Sequence, residues 1–116
     1  MSRFLNDANG AYIEKGPNDS RFYVLNWTAW LGVSETIQSV FVTTNGLTQP
    51  FPASVNSDTI SVKTQSGVMT IQPGMATIIW LSGGAPDTEY VVSCRITTTL
   101  LQEQEKTFRV KIKPPQ

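Results

Sequence analysis

Histidine is absent from the 116 residues, cysteine occurs once, and charged residues make up only 16% of the chain. Each scarcity removes a class of function. Without histidine, a proton shuttle near neutral pH would have to be a carboxylate or lysine with a displaced pKa. The nine acids are scattered over turns and strand ends: Asp7, Glu14, Asp19, Glu35, Asp58, Asp87, Glu89, Glu103 and Glu105. No spacing holds two of them on one buried face. A lone cysteine excludes an intrachain disulfide, and the chain has neither a cysteine pair nor an acidic loop with calcium-ligand spacing. The expectation is a protein with no enzymatic activity, no cofactor and no metal.

Nine Lys and Arg balance nine Asp and Glu, so no net field collects phosphate backbone or anionic lipid. Neither nucleic acid nor membrane is an expected partner. No run approaches the roughly 18 apolar residues of a membrane span, and the opening MSRFLNDANG lacks the apolar stretch of a signal peptide. Synthesis in a host cytoplasm without signal-peptide export is expected. With so little charge, the polar surface must come from Thr, Ser, Asn and Gln, which lose water easily and suit packing against other subunits.

What is present is period-2 patterning. In Ala76 to Leu81 one face carries Ala76, Ile78 and Trp80, and in Glu89 to Thr98 the apolar set is Tyr90, Val92, Cys94 and Ile96. Further strands are expected at Ala11 to Lys15, Arg21 to Trp27 (core set Tyr23, Leu25, Trp27), Thr36 to Thr44, Asp58 to Thr64, Val68 to Ile71 and Lys106 to Ile112. Pro50 and Pro52 make Leu47 to Val55 a loop or interrupted edge strand, and Leu100 to Gln104 is read as the last hairpin connection. The reading is one all-β domain, an immunoglobulin-like sandwich of about seven to eight antiparallel strands over residues 11–113. An extended N-terminal arm (1–10) precedes it and a flexible tail (114–116) follows.

Within this scaffold Cys94 reads as a small core hydrophobe in register with Tyr90 and Val92. Trp27 and Trp30 are spaced to pack both indoles inward at an open end of the sandwich; exposed, they would instead be a sugar-stacking platform. Gly83-Gly84 lacks the Lys and Ser or Thr of a phosphate loop and is a chain reversal. Arg109, Lys111 and Lys113 form a basic stripe on what reads as an edge or terminal strand.

Leu81, a short Gly- and Pro-containing loop and then Thr88-Glu89-Tyr90-Val91-Val92-Ser93 resembles the corner between the fifth and sixth strands of fibronectin type III and related immunoglobulin-like domains. The resemblance implies that the Tyr90 hydroxyl bonds back to the corner backbone. A narrower resemblance runs from Glu14 onward. Lys15-Gly16-Pro17, Val24-Leu25-Asn26-Trp27-Thr28-Ala29-Trp30-Leu31, Trp80-Leu81-Ser82-Gly83-Gly84, Thr88-Glu89-Tyr90, Cys94-Arg95-Ile96 and Thr107-Phe108-Arg109-Val110 follow the order of immunoglobulin-like tailed-phage virion proteins of the fibre-tail adaptor type. That resemblance implies a structural virion component docked on tail, baseplate or neck, linking it to fibres or neighbouring subunits in several symmetry-related copies. An immunoglobulin-like decoration or adhesion module for host-surface glycans is the alternative. The residues expected to hold the scaffold are Trp27, Trp30, Trp80, Tyr90 and Cys94. Those expected to meet partners are Phe4, Leu5, Leu47, Phe51, Arg109 and Lys111.

Overall fold

A computed structural model describes residues 5–7, 10–64 and 67–114. Ten strands follow in chain order: β1 (Leu5–Asp7), β2 (Gly10–Lys15), β3 (Arg21–Asn26), β4 (Ile37–Thr44), β5 (Ser54–Val55), β6 (Ile60–Thr64), β7 (Gly67–Ile71), β8 (Ala76–Leu81), β9 (Glu89–Thr98) and β10 (Glu103–Ile112). A single 3-10 turn, Thr28–Trp30, is the one helical element among the described residues. The strands form a five-stranded sheet in the order β1-β2-β10-β9-β4, a three-stranded sheet β3-β8-β5, and a separate β6-β7 hairpin. The architecture is all-β and sandwich-like. Ile13, Val92, Ile96, Val110 and Phe108 of the large sheet meet Tyr23, Leu25, Ile79 and Leu81 of the small one in a continuous core.

Two short strands, β1 and β5, raise the expected count to ten, and the pairing is not wholly antiparallel. Strand β2 runs parallel to β10, with Tyr12 opposite Arg109 and Lys15 opposite Ile112. The reason lies in the turn that follows. Asp19 Oδ2 accepts from the Gly16 amide at 3.1 Å and Asp19 N donates to Gly16 O at 3.2 Å, a tight reversal that sends β3 into the opposite sheet and leaves β2 beside β10. Strand β10, the last of the ten, is therefore flanked on both sides and is a terminal strand in the chain but not an edge strand of its sheet.

Three further expectations change. In β8 the buried set is Ala76, Thr77, Ile79 and Leu81, whereas Ile78 and Trp80 are half-buried on the outer face. Tyr23 from β3 and Trp27 just after it already fill the inside, so the indole of Trp80 is accommodated outside. In β4 a register shift between Ile37 and Ser39 resets the alternation, so Val42 follows Ile37 into the core and Phe41 points outward. Strand β10 begins at Glu103 rather than Lys106. Thr98 Oγ1 accepts from the amides of Leu100 at 3.3 Å and Gln102 at 3.2 Å, and Thr98 N donates to Gln102 O at 2.8 Å, which closes the turn early.

Candidate partner-binding surfaces

The surfaces are fixed by a few interior groups. The buried Trp27 indole donates to Thr77 Oγ1 at 3.0 Å, Thr77 Oγ1 lies 3.6 Å from Cys94 Sγ, and the Lys106 ammonium sits 4.7 Å above the Trp27 ring. This line of contacts ties the two sheets together. Burial pushes the Cys94 thiol up and the Lys106 ammonium down from their ordinary pKa values, and Lys106 Nζ donates to Asn26 O at 2.9 Å. Cys94 is fully enclosed and its thiol is the poorer nucleophile for it.

Each end of the sandwich has its own fastening. At one end Lys15, almost wholly buried, donates to the carbonyls of Gly16 (2.8 Å) and Gly83, and burial lowers its pKa against the raising effect of Asp19. The Ala85 amide donates to Tyr90 Oη at 3.0 Å across the corner. Gly84 has a φ of +108°, and a Cβ there would lie 2.6 Å from Ile112 Cδ1 and 3.2 Å from Leu47 Cδ2, so glycine is required. Leu47 is accordingly buried, a correction to its expected place on a partner-facing loop. The paired bonds Thr48 N to Ser82 O (3.0 Å) and Ser82 N to Thr48 O (2.9 Å) draw the start of that loop onto the sandwich and turn its leucine inward.

The opposite end is fastened by Glu35. Its Oε1 accepts from the Gly32 amide at 2.7 Å and its Oε2 from Thr98 Oγ1 at 2.5 Å. The Gly32 amide first, then the Thr98 hydroxyl, hold the carboxyl below the usual carboxylate range. Trp30, expected inside beside Trp27, is instead 55% exposed here. The 3-10 turn is started by Asn26 Oδ1, which accepts from Thr28 N at 3.0 Å, and the chain leaves it extended at Leu31, whose side chain packs on the core where Trp30 was expected.

The outer face of the small sheet is aromatic. Phe22 lies 5.3 Å from Trp80, and Phe51 meets Trp80 edge-on at 5.0 Å. Phe22 and Phe51 are exposed. Beside them runs a groove of about 520 Å³ lined by Phe22, Val24, Ile78 and, from the β6 side, Thr59, Ile60, Ser61 and Lys63. Arg109 and Lys111 lie on the outer face of the large sheet. Arg109 is 3.5 Å from Glu89 with its side chain only 12% exposed, and the Lys111 ammonium stands 4.0 Å from the Tyr12 ring centroid. Those cations are engaged within the sheet rather than offered as an open stripe. Phe4 lies outside the described residues, and Leu5 is described through its backbone alone, paired opposite Tyr12.

Among the described residues no group of three or more His, Cys, Asp or Glu could hold a metal ion, and no helix is long and apolar enough to cross a membrane. What the surface offers is apolar contact. Val33, Leu100 and Leu101, exposed around the Glu35 fastening, and Phe22 on the small sheet are residues the patterning had not singled out. The signal was there in two consecutive leucines inside a Thr- and Gln-rich turn.

A family model described as podophage GP4 fiber-tail adaptor protein gp77 matches residues 15–111, which span the chain from the buried Lys15 almost to the end of β10. No curated protein matches the chain.

Proposed function

The chain belongs to the podophage GP4 fiber-tail adaptor family, and from that premise we propose that it is a non-enzymatic virion component that docks on the tail, baseplate or neck and connects it to fibres. The observation that carries the reading is the extent of the match, which takes in strands β3 to β9, nearly all of β10 and the corner carrying Tyr90. An immunoglobulin-like description is supported by the parallel pairing of β2 with β10, the split of β3-β8-β5 from β10-β9-β4, and the Tyr90 hydroxyl bonded at the corner. Trp27, Trp80, Tyr90 and Cys94 act as scaffold in this reading. Phe51 and Phe22, which pack against Trp80, are the partner-facing element; tail, baseplate and fibre proteins are its partners, with no role for nucleic acid or lipid.

The alternative of a glycan platform needs Trp27 and Trp30 side by side in water, and the Trp27 indole is buried with its N–H committed to Thr77. Electron cryomicroscopy of the particle tests the proposal. Density for this chain is expected where fibres join the tail, and particles assembled without the chain are expected to lack fibres. Fully fibred particles formed in its absence would overturn it.

A further inference from the structure

The turn after β4 holds an asparagine that the fold leaves unrestrained. Asn45 and Gly46 are exposed, between Thr44 and the buried Leu47. The turn is closed around the pair rather than by it: Thr44 Oγ1 donates to Leu47 O at 2.5 Å, and Gln49 Nε2 donates to Val42 O at 3.4 Å. Among the described residues, neither the Asn45 side chain nor the Gly46 amide enters a hydrogen bond. Position 46 accepts only glycine, because its φ is +113° and a Cβ there would lie 2.9 Å from Tyr90 Cε1. The packing of Tyr90 thus puts beside an exposed asparagine the one residue whose nitrogen no side chain shields.

The other asparagines of the sandwich are held. Asn56 is buried; its Nδ2 donates to Asp58 O and to Gln72 O, each at 2.9 Å, and its Oδ1 accepts from Ala76 N at 3.0 Å. Asn18 and Asn26 are each followed by an amide already committed, Asp19 N to Gly16 O at 3.2 Å and Trp27 N to Met75 O at 2.9 Å. Of these four, Asn45 alone combines a free side-chain amide with a free nitrogen next in the chain. Asparagine is one of the thermolabile residues, and this is the arrangement in which its amide is open to attack.

We propose that Asn45-Gly46 is a self-modification site, at which the folded chain converts asparagine to isoaspartate with water as its co-reactant. Loss of the Gly46 N–H proton to solvent base lets that nitrogen attack Asn45 Cγ. The new N–Cγ bond closes a succinimide ring, the Cγ–Nδ2 bond breaks, and Nδ2 takes a proton from water and leaves as ammonia. Water then opens the ring. Cleavage of the N–Cγ bond leaves an ordinary aspartyl link; cleavage of the bond to the Asn45 main-chain carbonyl leaves a chain that runs through Cγ and is longer by a methylene. Either product adds a negative charge to a chain whose formal net charge is zero. The added methylene falls inside the Thr44 to Leu47 clasp, against the Tyr90 ring and next to Leu47, which packs beside Gly84. The isoaspartyl form therefore loosens the end held by the Ala85 N to Tyr90 Oη bond. The chemistry needs only the folded chain and water, so its failure leaves the adaptor reading standing.

The full chain, aged in mildly alkaline buffer, digested with trypsin and read by mass spectrometry, tests it. Conversion at Asn45 is read from the mass of a side-chain amide exchanged for a hydroxyl, and the isoaspartyl product from methylation by an isoaspartate methyltransferase. It is expected to outpace conversion at Asn18, Asn26 and Asn56 by roughly tenfold or more, because those sites must first open locally. Asn9-Gly10, whose asparagine lies outside the described residues, falls on a separate tryptic peptide and is read apart. Asn45→Gln should abolish methylation at this site, and Asn45→Asp supplies the charge without the added methylene. The isoaspartyl fraction, separated chromatographically, should unfold at a lower temperature than both fresh wild type and Asn45→Asp. Asn45 reacting no faster than Asn56, conversion that requires urea, or an isoaspartyl fraction as stable as Asn45→Asp would overturn the proposal.

Discussion

The two sheets of this protein turn opposite kinds of surface outward. On the five-stranded sheet, charge is matched within the face: Arg109 with Glu89 at 3.5 Å, Arg95 with Glu103 at 3.5 Å, and Lys113 with Glu14 at 4.0 Å. On the three-stranded sheet the outward side chains are Phe22, Val24, Ile78 and Trp80, with Phe51 folded against them. Both faces rest on the same core, so the contrast is one of use rather than of folding. The first face also exposes Phe41 and Val91, but its charges are answered by their own neighbours, while the second presents a cluster of half-exposed rings that gains by being covered.

Breaking the shared core abolishes the contrast altogether, and this is the largest effect expected. Trp27→Ala removes the buried indole and leaves Thr77 without its donor, for a loss of about 3–5 kcal/mol, read from urea unfolding followed by circular dichroism. Tyr90→Phe keeps the ring and deletes only the bond from Ala85 N, so about 1 kcal/mol is expected in the same measurement. Glu35→Gln sharpens the comparison at the end of the molecule, through pH. Because its partners hold the folded carboxyl below its unfolded value, Glu35 stabilises the fold fully above the ordinary carboxylate range and progressively less as pH falls through the lowered value. The variant should be less stable at neutral pH and lose less on acidification than wild type, read from thermal midpoints across the acid range.

Phe51→Ser should cost less than about 1 kcal/mol of stability yet reduce retention of the chain on fibred particles, measured by the amount that co-purifies with them. Arg95→Ala on the charged face removes an exposed ion pair and should change stability by about 0.5 kcal/mol or less, with retention unaltered. Equal loss of retention from both substitutions would erase the distinction between the faces.

Period-2 patterning placed eight of the ten strands, because a strand half-buried on one side writes its alternation directly into the chain. It read the core set Tyr23, Leu25 and Trp27 correctly. It put Ile78 and Trp80 of β8 on the wrong face, since they are as apolar as Ile79 and Leu81, which with Ala76 and Thr77 are the buried residues, and only the opposing strands decide between them. The parallel partnership of β2 and β10 was beyond the pattern because residues some hundred positions apart leave no local mark. The surfaces were legible only in part. Phe51 was singled out in the loop that Pro50 and Pro52 interrupt, but Leu47 turned inward and Trp30 outward, each decided by hydrogen bonds, the Thr48–Ser82 backbone pair and Thr28 N to Asn26 Oδ1, that no composition rule foresees. The exposure of Phe22 and of Val33, Leu100 and Leu101 depends on which face a strand presents and on a bond between Glu35 and Thr98, 63 positions apart.

The place of β10 between β2 and β9 has a consequence for how the protein is made. A ribosome delivers β10 after both strands it must join, so β2 waits without its ladder partner while nearly the whole remaining chain is translated. Closure of the large sheet then requires one long-range docking event. A nascent chain cut short between Thr98 and Glu103 leaves the inner edges of β2 and β9 both open, two unpaired strands that invite aggregation.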